Sequence, residues 1–192
     1  MAKIKPQEID EFISSGRRMY EGGLATGALG AAGSRLPDGS IVLTAAGTRM
    51  GFMRPEDLLV LNTAAPPQNG REPGLDSGII RAVLVAQPEA GAVIRVNSPY
   101  TTALAHGGRK MLDRRAELLR ELGGVSFVPF YRPGTAGLAG AVAEVMRACR
   151  IALIEGQGAV VRGADLPDAI DTAEALEAAA RVIFILEGSG VS

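Results

Sequence analysis

Among its 192 residues the chain has one cysteine and one histidine. Each scarcity removes a class of chemistry. Cys149 alone cannot close an internal disulfide. It lies in the apolar stretch AVAEVMRACRIALI, which reads as a buried core thiol rather than a nucleophile. His106 sits before two glycines in LAHGGRK, which reads as a solvated loop. With no thiolate or carboxylate beside it in sequence, it cannot build a transition-metal site. An excess of one charge is also lacking: 20 basic residues face 21 acidic ones, for a net charge of −1. No basic face for nucleic acid and no polybasic run for anionic lipid is expected. No apolar run is long enough to span a bilayer. The opening MAKIKPQEIDEF has a charged start without an apolar segment after it, so no signal peptide is expected. A cytoplasmic location follows as the expectation.

The common catalytic motifs are missing too. There is no GxxxxGK loop, no HExxH, no CxxC and no GxSxG. Gly27, Gly30 and Gly33 are spaced somewhat like a nucleotide loop, but no clear helix follows them, so dinucleotide binding is not expected. The pairs Arg17-Arg18 and Arg114-Arg115 read as solvated helix faces.

What is present is a globular composition, 47% hydrophobic and 21% charged, in a chain sized for one domain over residues 1–192. Helical periodicity predicts a helix over 7–21, stopped by Gly22-Gly23. Residues 24–36, short and glycine-rich, read as loop or strand edge. Pro37-Asp38-Gly39 is a turn, followed by a strand over 40–44. A helical turn at 54–57 precedes a strand at 58–62. Pro66, Pro67, Gly70, Pro73 and Gly74 mark 63–75 as a flexible loop. Helices are predicted at 77–87, 99–106, 112–122, 135–147 and from 166 to about 187. Strands are predicted at 92–96, 125–130, 151–154 and 159–162. Alternating strands and helices without a repeat argue for one α/β or α+β domain.

Four blocks carry a family resemblance. They are EIDEFISSGRRMYEGGLATGALGAAGSRLPDGSIVLTAAGT, MRPEDLLVLN, QPEAGAVIRVNSPYTTALA and ALIEGQGAVVRGADLPDAIDTAEALEAAARV. In this order and spacing they resemble the class II aldolase/adducin family, of the fuculose-phosphate aldolase type, from about residue 7 to 187. The resemblance implies a single α/β/α domain around a mostly antiparallel central sheet. It also implies a homo-oligomer, commonly a tetramer with sites between subunits.

Carried over residue by residue, the resemblance exposes a loss. The family's paired metal histidines fall on Arg95 and Asn97, and its third on Gln157. Its acid/base glutamate falls on Gly78, beside a retained Ser77. Its phosphate-binding asparagine and serine fall on Ala31 and Gly33. Its threonine-glycine phosphate loop falls on Ala46-Gly47, with Thr44 and Thr48 nearby. Phe130 or Tyr131 stands where the family places an aromatic near a neighbouring subunit.

Arginine has no lone pair to offer a metal, amides are weak zinc ligands, and glycine moves no proton. No metal and no cofactor are expected, and conventional metal-dependent aldol chemistry is not expected. The first functional expectation is a non-catalytic member of the fold: a scaffold, an assembly partner (even of an active paralogue) or a small-molecule binder. The alternative is a metal-independent lyase or isomerase on a small phosphorylated or carboxylated carbohydrate. There Arg95 would hold the anion or an oxyanion. Asp76, Glu155 and Arg81 would be candidates for proton transfer. Ligand contacts are expected at Arg95, Asn97, Gln157, Ser77, Gly47 and Thr48. A plainer reading has Arg95 filling the metal position and pairing with Glu155 or Asp76. In that reading Asn97 and Gln157 hydrogen-bond to each other, and Gly30, Gly47 and Gly158 serve backbone geometry.

Overall fold

The computed structural model describes residues 4–61, 70–114 and 116–189. Seven strands form one sheet: β1 Ala31–Arg35, β2 Ile41–Thr44, β3 Leu58–Leu61, β4 Ala92–Val96, β5 Val125–Val128, β6 Ile151–Ile154 and β7 Gly158–Gly163. Their order across the sheet is β3-β2-β1-β4-β7-β6-β5. Only the β5–β6 pair is parallel; the other pairs are antiparallel. The sheet is therefore mixed, with antiparallel pairing dominant.

The helices are α1 Pro6–Glu21, α2 Ser77–Ala86, α3 Pro99–Arg114, α4 Ala116–Leu119, α5 Ala136–Val145 and α6 Leu166–Ser189. They cover the sheet on both faces because the strands are apolar on both faces. Ala92, Ile94, Leu153 and Val161 join α1, α3 and α6 in one core through Phe12, Leu104 and Leu176. Val93, Ala152 and Val160 join α2 and α5 in the other through Ile80, Val83, Leu138 and Val142. Cys149 belongs to this second core, its thiol 3.2 Å from the carbonyls of Val145 and Ile151.

Several boundaries differ from the sequence reading for local reasons. β1 is a full strand although AAGSR carries no β-branched residue; it pairs on both sides, with β2 and β4, and tertiary pairing overrides propensity. His106 lies on α3, exposed, and not in a loop. The helix is broken just beyond it at Gly108, where φ is 68°. Arg18 is not a free surface cation: it donates to Asp171 and Glu174 and ties α1 to α6. Of the loop expected over 63–75, residues 62–69 lie outside the described residues, as does Arg115.

Candidate ligand cavity at the end of strand β4

Strand residues alternate between faces. Val93 points into the α2/α5 core, so Arg95 and then Asn97, just past the strand end, fall on the same side. In register, Arg95 stands between Ala31 of β1 and Val160 of β7. It is 3% exposed. Nη1 donates to the carbonyls of Val96 (3.0 Å) and Ala159 (2.9 Å). Nη2 donates to the carbonyl of Gln157. Nε faces Asp76 Oδ1 at 3.4 Å as an ion pair, without a well-aligned hydrogen bond. Burial pushes the Arg95 pKa down, and the Asp76 carboxylate opposes that shift. The group still stays protonated at any working pH.

The neighbouring amides are organised around the same turn. Asn97 Nδ2 donates to the Gln157 carbonyl at 3.0 Å, and Asn97 N–H to the Leu24 carbonyl at 3.0 Å. Gln157 Nε2 donates to the Tyr131 carbonyl at 2.7 Å. The two side-chain amides thus do not bond to each other, contrary to expectation. Each donates to a backbone carbonyl instead.

These groups sit at the base of a cavity of about 400 Å³. Its lining brings together Arg95, Asn97, Gln157, Asp76, Ser77, Gly47 and Thr48 from four separate stretches of chain. Thr44, Ala31, Gly30, Leu29 and Leu75 complete much of the wall. The hydroxyls are turned inward: Thr48 donates to the Ala45 carbonyl at 2.9 Å, and Ser77 to the Gly74 carbonyl at 2.5 Å. Gly30 has φ 110°, and a Cβ there would lie 2.8 Å from Ala25 Cβ. Gly158 has φ 81°, and a Cβ there would lie 2.5 Å from the Val96 carbonyl oxygen. Both glycines let the backbone pass close to β4.

Other expected residues are not brought in. Glu155 is not in the lining; its carboxylate accepts from Phe130 N–H at 3.1 Å and does not pair with Arg95. Arg81 is exposed on α2 and also outside the lining. Gly78 is exposed, and a Cβ there would meet open space. Gly33 cannot simply regain a serine, since its Cβ would fall 2.4 Å from Ile80 Cγ2. His106 packs beside Gly156, its Cε1 3.5 Å from where a Cβ would stand, outside the lining.

The metal that the resemblance implies does not fit these residues. A zinc-type ion needs imidazole, thiolate or carboxylate donors. Arg95 offers none and already spends its hydrogens on carbonyls, while Asn97 and Gln157 keep only amide oxygens. Among the described residues, no group of three or more His, Cys, Asp or Glu side chains could hold an ion. Sequence reasoning does not anticipate the carbonyls of Val96, Ala159 and Tyr131, because main-chain acceptors leave no mark in residue type.

The comparisons with known proteins agree with this architecture. The chain is 29% identical over 185 residues to the 3-oxo-tetronate 4-phosphate decarboxylase of Haemophilus influenzae, covering 94% of this chain and 88% of that one. YgbL from Klebsiella pneumoniae superposes with a TM-score of 0.82 at 29% identity, over 96% of this chain and 92% of the other. The L-fuculose-1-phosphate aldolase of Thermus thermophilus shares the fold, with a TM-score of 0.80 at 22% identity over 96% of each chain. The model of the class II aldolase and adducin N-terminal domain matches residues 10–184. With the layered sheet and the order of the four sequence blocks, that match makes this chain a member of the class II aldolase and adducin N-terminal domain family.

Proposed function

We propose that this chain is a non-catalytic member of its family that binds a small molecule in the β4 cavity. One observation carries the reading. The guanidinium of Arg95 stands where the family resemblance puts a metal-binding histidine, and it is tied to three backbone carbonyls and to Asp76. A cation fixed by the chain itself repels a second cation. The same contacts weigh against the metal-independent lyase, since an arginine committed to carbonyls has little left for an oxyanion. A homo-oligomeric state, or pairing with an active paralogue, is supported by Leu29 (59% exposed) and Leu75 (68%) on the cavity wall and by Phe130 (63%). Leu29 and Leu75 share one wall, and exposed apolar side chains placed together favour a subunit contact.

A second reading has an observation of its own. Similar proteins are named 3-oxo-tetronate 4-phosphate decarboxylases, which favours a lyase on a phosphorylated substrate of that kind. One preparation separates the two readings. The purified chain is loaded with zinc, manganese or iron, desalted, analysed for metal, and assayed for decarboxylation and retro-aldol cleavage. Less than about a tenth of an ion per chain and no turnover above background are expected. About one retained ion per chain, with turnover, would establish the second reading instead.

A further inference from the structure

We propose that Asp57, outside the cavity, is a positioning residue: it ties two of the cavity's loop walls together and so sets Asp76 against Arg95. The inference rests on the β4 cavity being the ligand site, as proposed above, and adds how that site is kept in shape.

Asp57 is a buried acid that the cavity itself does not use. It is 8% exposed, closes the helical turn Pro55–Asp57 and lies outside the lining. A buried carboxylate is costly unless it is paired and hydrogen-bonded, and both of its oxygens are engaged. Oδ2 accepts from Arg54 N–H at 2.9 Å, and Oδ1 accepts from Arg71 Nη2. Its main chain is engaged as well, the Asp57 carbonyl accepting from Ala45 N–H at 2.7 Å.

These contacts reach two walls separately. The first wall is the turn 45–48, which supplies Ala45, Ala46, Gly47 and Thr48 to the lining. The Asp57 carbonyl holds it at its first residue. The second is the strap 71–76, which supplies Gly74, Leu75 and Asp76. The Asp57 carboxylate holds it at its first residue, Arg71. Beyond these anchors the walls meet: Ala46 N–H donates to the Glu72 carbonyl at 2.8 Å, and Pro73 forms an antiparallel bridge with Ala45. Both segments lie between regular elements, one after β2 and the other before α2. Such segments are placed by few contacts, so each contact matters. The strap ends at Asp76, whose Oδ1 stands 3.4 Å from Arg95 Nε. Released at Arg71, it loses its far anchor, and Asp76 is then held from the α2 side.

The test uses the full chain without ligand and reads two signals by NMR: hydrogen exchange at the Ala45 and Ala46 amides, and the Arg95 Nε–H resonance. The two amides separate positioning from a general loss of stability, since Ala46 bonds to the strap and Ala45 to Asp57 itself. In Arg71→Ala, Ala46 is expected to exchange about tenfold faster with Ala45 nearly unchanged. The Arg95 Nε–H resonance is expected to shift as Asp76 moves. Asp57→Asn keeps an acceptor for Arg54 N–H but loses the charge. It is expected to act in the same direction, and adding Arg71→Ala to it should change little more. Arg71 reaches Asp57 through one nitrogen, so Arg71→Lys should restore most of both signals. Equal acceleration of the two amides, or acceleration of neither, would overturn the inference. So would an Arg95 signal unmoved in Arg71→Ala, or a lysine variant indistinguishable from the alanine one. Metal retention with turnover in the preparation described above would defeat the non-catalytic reading instead. The two NMR signals need neither ligand nor activity, and would still decide the positioning role.

Discussion

At the scale of single residues, the site turns on Arg95. It is a hydrogen-bond donor held by the carbonyls of Val96, Ala159 and Gln157, at a position where the family resemblance implies an electron-pair donor. Removing it should therefore disturb more than a binding site. Arg95→Ala would take the guanidinium from the Val96 and Ala159 carbonyls, leave the Gln157 carbonyl to Asn97 alone, and strip Asp76 of its counter-charge. Loss of one member of a buried pair costs roughly 3–5 kcal/mol, and urea unfolding is expected to show a loss in that range. A loss under about 1 kcal/mol would mean that water replaces the guanidinium freely. Much of this is legible in the sequence. The segment RVN and Gln157 carry the expectation, under the family resemblance, that the metal ligands are replaced, and Asp76 is one of the two partners that the sequence offers for Arg95. Glu155 is the wrong one of the two, because sequence adjacency to Gly156 does not say where a side chain turns; here it turns to Phe130 N–H.

At the scale of elements, the β4–α3 junction is held by a residue far away in sequence. Glu177 on α6 accepts from Ser98 Oγ (2.7 Å), Tyr100 N–H (3.0 Å), Thr101 N–H (2.7 Å) and Thr101 Oγ1 (2.7 Å). These donors belong to the first turn of α3 and the residue before it, so the carboxylate caps that helix and faces its positive end. It also fixes the chain immediately after Asn97. Glu177→Ala is expected to lower stability by about 2–3 kcal/mol in thermal or urea denaturation, with Glu177→Gln keeping a good part of it. Equal losses for the two variants would show that packing, and not capping, is the source. No local pattern around residue 177 announces this role, since the alanine- and glutamate-rich helix offers several similar carboxylates. Regular elements with clear periodicity, such as β4, β6 and α1, are legible. β1 is not, because its small residues form a strand only through pairing with both neighbours.

At the scale of the whole molecule, the two cores and the mixed sheet set the fold, and a few ion pairs tune its response to acid. The Asp168 carboxyl lies below the usual range, chiefly because Arg150 donates to it at 2.6 Å, with help from the Ala164 N–H. A depressed carboxylate contributes its full stabilisation above the unfolded value of about 3.9. The contribution drains away as pH falls through the folded value. Both partners are partly exposed, at 39% and 31%, so the effect is small, about 0.5–1 kcal/mol. Comparing the native chain with Asp168→Asn by denaturant titration should show a difference of that size at about pH 7 that shrinks below about pH 4. A difference that stays constant across that whole range and further into acid would rule out the ion pair as its source. Neither this pairing nor the convergence of several separate chain segments on one cavity is a property of local sequence. Both come from topology, which the family resemblance supplies and periodicity does not.

The contact between Gly33 and Ile80 bears on reversibility. A serine at 33, as the family resemblance would have it, needs room that Ile80 Cγ2 occupies, only 2.4 Å from the required Cβ. Ile80 branches at Cβ and is stiff, so it cannot swing aside. The return path is therefore gated: smaller side chains at 80 would have to come first, opening a void in the α2 core before any polar group could profit from it. If the chain is non-catalytic, as proposed, the packing at Ile80 acts as a ratchet against a return to serine at 33.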